Sequence, residues 1–125
     1  MNRKRLGETD VTLPEIGLGT FGYTGGIEPL RAGISLGACL IDTAEAYGTE
    51  EVAGRAINGV RGRVFLSTKV FPIHFRRSDV LSAAEKSRER LQTNHIDLYS
   101  FTGRITLSQS KRPWQPWNNW WTVAE

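Results

Sequence analysis

Short apolar runs begin near Ile16, Cys39, Val64 and Ile96, and each is followed by a polar or glycine-rich exit. Between them, apolar residues return every three or four positions. Runs of the first kind read as buried strands, and segments of the second kind as amphipathic helices. The first helix carries Pro29 in its first turn, sets Leu30, Gly33 and Ile34 on one side, and stops at Gly37. The second is expected to be capped by Thr49, with Glu50 and Glu51 at the positive end of its dipole. Its buried stripe is Val52, Ala53, Ala56 and Ile57, and Gly59 ends it. The third is expected to be capped by Ser78 and to bury Val80, Leu81, Ala84 and Leu91. Ahead of all this, Arg3 to Leu13 alternates polar and apolar residues around Gly7-Glu8-Thr9-Asp10, the pattern of a small hairpin.

The predicted order is strand, helix, strand, helix, strand, helix, strand. Connections of this length require parallel pairing through right-handed crossovers. The fold class is therefore α/β, as a β/α barrel or an open doubly wound sheet, and periodicity leaves both open. Gly17-Leu18-Gly19-Thr20-Phe21-Gly22 matches the letters of a dinucleotide fingerprint. A helix should begin inside that motif, however, and here Gly25-Gly26 and Pro29 delay it, so the match carries little weight.

The chemistry-bearing residues sit where the strands end. Asp42 closes the run that starts at Cys39, Tyr47 follows in the connecting loop, and Lys69 closes the run Leu66-Ser67-Thr68. A phenol is a poor acid at neutral pH, and a neighbouring ammonium favours its ionised form. A carboxylate, a phenol and an ammonium on one rim of a parallel sheet thus make a proton-donating device. Taken singly, an Asp caps a helix, a loop Tyr packs its ring and a Lys reaches solvent. Delivered together to matching strand ends, they favour the functional reading. Gly19 and Thr20 stand at the exit of the first strand, where glycine permits close approach by a ligand, although a turn explains Gly19 equally well. His74 and His95 have no metal-ligand neighbours at usable spacing, and no metal site is expected.

Three motifs resemble the aldo-keto reductase family. They are Gly17-Leu18-Gly19-Thr20-Phe21, Ile41-Asp42-Thr43-Ala44-Glu45-Ala46-Tyr47-Gly48 and Leu66-Ser67-Thr68-Lys69-Val70, in the family's order. The resemblance implies the N-terminal half of an eight-fold (β/α) TIM barrel behind a short hairpin, with its site at the carboxyl ends of the strands. It implies an NADPH-dependent oxidoreductase that reduces small aldehydes or ketones. Tyr47 would be the acid, Lys69 its cation and Asp42 the partner of Lys69. Gly19, Thr20 and Phe21, together with Asp42, would line the cofactor and substrate end. The family places a His at the end of the fourth strand, where this chain has Thr102 in Leu98-Tyr99-Ser100-Phe101-Thr102. Most of the NADPH grip belongs to later strands in that family. The resemblance covers residues 5–99, so the chain is expected to be inactive by itself. Its open sheet edges are expected to leave it marginally stable or self-associating.

Composition narrows the setting. At 125 residues, 39% hydrophobic and 23% charged, the chain is a globular domain or a piece of one. The net charge of +3 gathers in the tail, where Arg104, Lys111 and Arg112 face only Glu125, so residues 1–99 show no footprint for nucleic acid. The single Cys39 excludes an internal disulfide, and no apolar run approaches a membrane span. A cytoplasmic setting is expected, with a small carbonyl compound as partner and neither nucleic acid nor membrane.

From Ser100 the texture changes. All 4 tryptophans lie between Trp114 and Trp121, no helical or strand period is sustained, and residues 100–125 are expected to be unstructured. One reading is a cationic Trp- and Pro-rich segment for a membrane interface or single-stranded bases. The other is a shifted reading frame. Tryptophan has one codon, so Trp117-Asn118-Asn119-Trp120-Trp121-Thr122 is written TGG AAY AAY TGG TGG ACN. Read one base earlier, it gives an apolar residue, Glu, Gln (or a stop), Leu, Val and Asp. With one base restored near codon 100 and suitable codons, the tail can encode a Gln-Leu-His strand end followed by an amphipathic helix. The frameshift is the favoured reading, and the coding DNA decides it.

Overall fold

A computed structural model describes residues 1–74 and 76–103. The Trp-rich segment, and both readings of it, lie outside the described residues. The chain opens with a hairpin in which β1 (Arg3–Arg5) pairs antiparallel with β2 (Thr12–Pro14). Gly7 takes the left-handed conformation in its turn, at φ 55°.

Four parallel strands follow, β3 (Leu18–Gly19), β4 (Leu40–Asp42), β5 (Phe65–Val70) and β6 (Leu98–Phe101), hydrogen-bonded side by side in chain order. The helices α1 (Glu28–Ser35), α2 (Glu50–Ile57) and α3 (Arg77–Leu91) connect them. Helix α1 packs on α2, and α2 on α3, so the helices form one layer. A doubly wound sheet reverses its strand order at a switch point and carries helices on both faces. Among the described residues this sheet does neither, and its sequential order is that of a barrel wall.

The core lies between sheet and helices. Ile41 and Leu66 meet Ile34, Ala53, Ile57 and Leu91, and farther along Val70 meets Val80 and Ala83. Helices α2 and α3 approach closely at Gly54, where an added Cβ would stand 2.5 Å from the Leu91 carbonyl oxygen. One charge is taken into this layer. Glu50, with its side chain 1% exposed, accepts from Thr68 Oγ1 at 2.6 Å and from Arg90 Nε at 2.7 Å. Burying a carboxylate is tolerable because both oxygens are satisfied and a cation is in contact.

Several expected details differ. Strand β5 continues through Thr68 and Lys69 to Val70, because its polar residues still complete the ladder with β6. Strand β6 starts at Leu98, two residues after the apolar run begins near Ile96, and runs to Phe101. Thr49 makes no cap bond; its buried hydroxyl instead meets Thr20 Oγ1 at 2.8 Å and Thr43 Oγ1 at 3.2 Å. Ser78 does not cap α3, whose N-cap is Arg76, but donates to Asp79 Oδ1 at 3.1 Å. Leu81 is 46% exposed, and the buried stripe of α3 is Val80, Ala83, Ser87 and Leu91. Among the described residues, no helix is long and apolar enough to cross a membrane.

Candidate active site

Asp42 is the last residue of β4 and is in register with Ser67 on β5. Side chains alternate along a strand, so Leu66, Thr68 and Val70 turn to the helices while Ser67 and Lys69 turn to the other face. Asp42 lies on that other face as well. Lys69 Nζ donates to Asp42 Oδ1 at 2.7 Å, to Asp42 Oδ2 at 2.6 Å and to the Thr43 carbonyl at 2.9 Å. Ser67 Oγ donates to Asp42 Oδ1 at 3.1 Å. The ammonium has three N–H donors and the pocket supplies three acceptors, so its position is fixed. The pair is not sealed away: the Asp42 side chain is 44% exposed and that of Lys69 19%.

After β4, buried Ala44 leads into a 3-10 turn, Glu45–Tyr47, closed by Gly48 in the left-handed conformation at φ 66°. The turn brings Tyr47 back over β5, where Lys69 Nζ stands 5.1 Å from its ring centroid, within cation–π range. On its other side the Tyr47 ring meets Phe21 edge-on, with centroids 5.1 Å apart and planes at 70°. Asp42, Tyr47 and Lys69, separate in sequence, are thus one cluster at the carboxyl rim.

The residues of the first strand exit divide. Gly19 is exposed, with nothing within 4 Å of an added Cβ, and Phe21 is 81% exposed. Thr20 is fully buried. Its N–H and hydroxyl both turn to the Asp42 carbonyl, at 3.0 and 3.3 Å, and the hydroxyl also meets Thr49. The side chain of Thr20 therefore does not line the rim as expected. It braces the segment that presents Gly19 and Phe21. Gly19 stands in register with Asp42, and Phe21 stands against the Tyr47 ring, so both are placed at the same rim as the charged pair. Thr102, at the exit of β6, spends its hydroxyl on the Val70 carbonyl at 3.0 Å.

Two further groups come near the rim, and two other titratable groups lie away from it. Glu45 accepts from the Phe71 N–H at 3.0 Å and lies 3.1 Å from His74 Nδ1. His74, at which no metal site is expected, is thereby bonded next to the cluster. Tyr99 points to the helix side, where burial first and the Glu45 carboxylate next push its phenol up to about 12. His95 lies at the other end of β6, near Asn94 and Asp97. Among the described residues, no group of three potential metal ligands occurs.

Known proteins bear on this geometry. Residues 15–102 match the model of the aldo/keto reductase family. The chain is 45% identical over 101 residues to methylglyoxal reductase YeaE of Escherichia coli (strain K12), covering 72% of this chain and 35% of that protein. It is 40% identical over 95 residues to glyoxal reductase of Bacillus subtilis (strain 168), covering 71% and 34%. A solved aldo/keto reductase from Klebsiella pneumoniae, in complex with NADP and acetate, superimposes with a TM-score of 0.67 at 45% identity, covering 70% of this chain and 35% of that one. The chain spans about a third of the length of these relatives. On a family match over most of its length, the chain belongs to the aldo/keto reductase family.

Proposed function

We propose that this chain carries the proton-donating half of an NADPH-dependent aldehyde or ketone reductase site, on four of the eight strands of a TIM barrel. The observation that carries the reading is the Lys69 ammonium, fixed by Asp42 and the Thr43 carbonyl beside the Tyr47 ring. NADPH, when bound, supplies a hydride to the carbonyl carbon, and Gly19, Phe21 and Asp42 would hold its nicotinamide end. Thr20 serves from beneath, by bracing that segment. As the carbonyl oxygen gains negative charge, Tyr47 gives it a proton. The positive charge of Lys69 stabilises the phenolate left behind, and Asp42 keeps the ammonium from swinging into solvent. Phe21 holds the ring from its other edge. Thr102 adds no acid, because its hydroxyl is committed to the backbone.

Small dicarbonyl aldehydes are the first substrates to try, since two relatives are named for methylglyoxal and glyoxal. The 125-residue chain alone is not expected to turn over, because the family resemblance assigns most of the grip on the nucleotide to later strands. A chimera in which residues 1–102 replace the matching segment of the Escherichia coli relative tests the reading. It should oxidise NADPH with methylglyoxal, and Tyr47→Phe should lower kcat by roughly 10²–10⁴-fold. A folded chimera indifferent to Tyr47→Phe would sink the proton-donor assignment, and turnover by the chain alone would sink the division of labour.

A second reading rests on the 4 tryptophans clustered in Trp114–Trp121, in a region that carries Lys111 and Arg112. There the tail is a membrane-interface or nucleic-acid segment. Binding to anionic vesicles or single-stranded oligonucleotides that is lost in a Trp120→Ala, Trp121→Ala variant would favour it.

A further inference from the structure

Two rim loops meet at one side chain. The turn after β4 bears Tyr47, and the loop after β5, with its 3-10 turn Pro72–His74, follows directly from Lys69 and Val70. In Thr43-Ala44-Glu45-Ala46-Tyr47, the alanine before Glu45 is fully buried, which anchors the backbone at that point. The Glu45 side chain, 15% exposed, reaches across the end of β5. One of its oxygens accepts the Phe71 N–H at 3.0 Å, and His74 Nδ1 stands 3.1 Å from the carboxylate. Phe71 is the first residue past the ladder, so its N–H has no strand partner and would otherwise turn to water. A bond from an amide to a charged, mostly buried acceptor is among the stronger kinds.

We propose that Glu45 is a positioning residue for Tyr47: it ties the turn that carries the phenol to the loop that follows Lys69, and so sets the spacing between ring and ammonium. The proposal rests on the reading of Tyr47 as proton donor for its purpose, but not for its geometry. Lys69 is already pinned to β4 through Asp42 and Thr43. The Tyr47 ring, by contrast, stands on a turn of three residues, one of which is Glu45. Without the tie, the ring keeps its cation–π contact with Lys69 on β5 and its edge contact with Phe21 after β3, and neither of these reaches the loop that follows β5.

The test uses the full 125-residue chain and two readouts independent of turnover: amide hydrogen exchange at Phe71 relative to Leu66, and the ring resonances of Tyr47. Glu45→Ala should speed exchange at Phe71 by roughly 10- to 100-fold while Leu66 holds its rate, and should shift the Tyr47 ring signals. Glu45→Gln keeps an acceptor oxygen and should restore most of both. If Phe71 and the Tyr47 ring are unchanged in Glu45→Ala, the proposal is overturned. It is equally overturned if Leu66 speeds up as much as Phe71, which would mean a general loosening. Should the tie respond as stated while the Tyr47→Phe chimera stays fully active, the tie stands and the proton-donor reading fails.

Discussion

The two faces of β5 are made from alternate residues of one six-residue strand and obey different rules. On the helix face, Leu66, Thr68 and Val70 are at most 1% exposed, and the carboxylate that enters there, Glu50, is held by Thr68 and Arg90. On the opposite face, Ser67 and Lys69 meet Asp42, whose side chain remains 44% exposed. Both faces hold an ion pair. In one the carboxylate is buried, with its Arg90 partner at the surface, and serves packing, while in the other the carboxylate itself stays within reach of solvent. A charge that must act on a ligand cannot be buried as fully as one that only joins two helices to a strand.

Substitutions on the helix face should therefore cost stability, and those on the other face chemistry. The largest stability loss is expected for Leu66→Ala, about 2–5 kcal/mol, because the side chain is fully buried and its neighbours on three helices cannot all close the gap. Urea unfolding followed by far-ultraviolet circular dichroism measures it. A loss below about 1 kcal/mol would show that the helix layer is not the packed one. Gly54→Ala comes next, at roughly 1–3 kcal/mol, since the new methyl group would meet the Leu91 carbonyl and force α2 from α3. Replacing a helical glycine by alanine would by itself stabilise the helix, so any loss at this position reports crowding against Leu91.

Lys69→Met belongs to the other face and should behave differently. The Asp42 carboxylate it leaves behind is nearly half exposed, keeps the Ser67 hydroxyl and can take up water. The change in unfolding free energy should then stay within about 1 kcal/mol, while the Tyr47 ring signals move because the cation is gone. A stability loss as large as that of Leu66→Ala would erase the distinction between the faces.

The division of labour was partly legible in the sequence. Asp42, Tyr47 and Lys69 were readable because each stands at a strand exit, and strand exits on a parallel sheet converge. The sequential strand order was not readable, since a 3.6-residue period records which helix side is buried but not which face of the sheet it covers. Thr49 looked like a helix cap because the residue type fits; its hydroxyl went instead to Thr20 and Thr43, neighbours that only the folded chain provides. Glu45 gave no signal, as a lone acid between two alanines reads as solvated surface. Its partners lie 26 and 29 residues away, across a strand end. Leu81 misled in the opposite sense: it keeps helical spacing with Ala84, yet the sheet meets α3 along the line of Val80, Ala83 and Ser87.

The smallest effect concerns Tyr99, which lies on the helix side of β6 and is packed against the cluster of Val70, Val80 and Ala83. Burial, then the nearby Glu45 carboxylate, push its phenol from 10.0 up to about 12. The unfolded chain therefore releases this proton first as pH rises. Below pH 10 both states hold the proton and nothing is lost; between about 10 and 12 the unfolded state binds fewer protons, so folding stability falls. Alkaline pH acts on the rest of the chain as well, so the test is a difference. Wild type and Tyr99→Phe should lose stability in parallel between pH 8 and 9.5, and wild type should lose more between pH 10 and 11.5 in urea titrations. Equal slopes in the upper window would mean that Tyr99 is solvated when folded, and the helix face would then be less sealed at β6 than Thr68, its register partner, and Glu50 make it on β5.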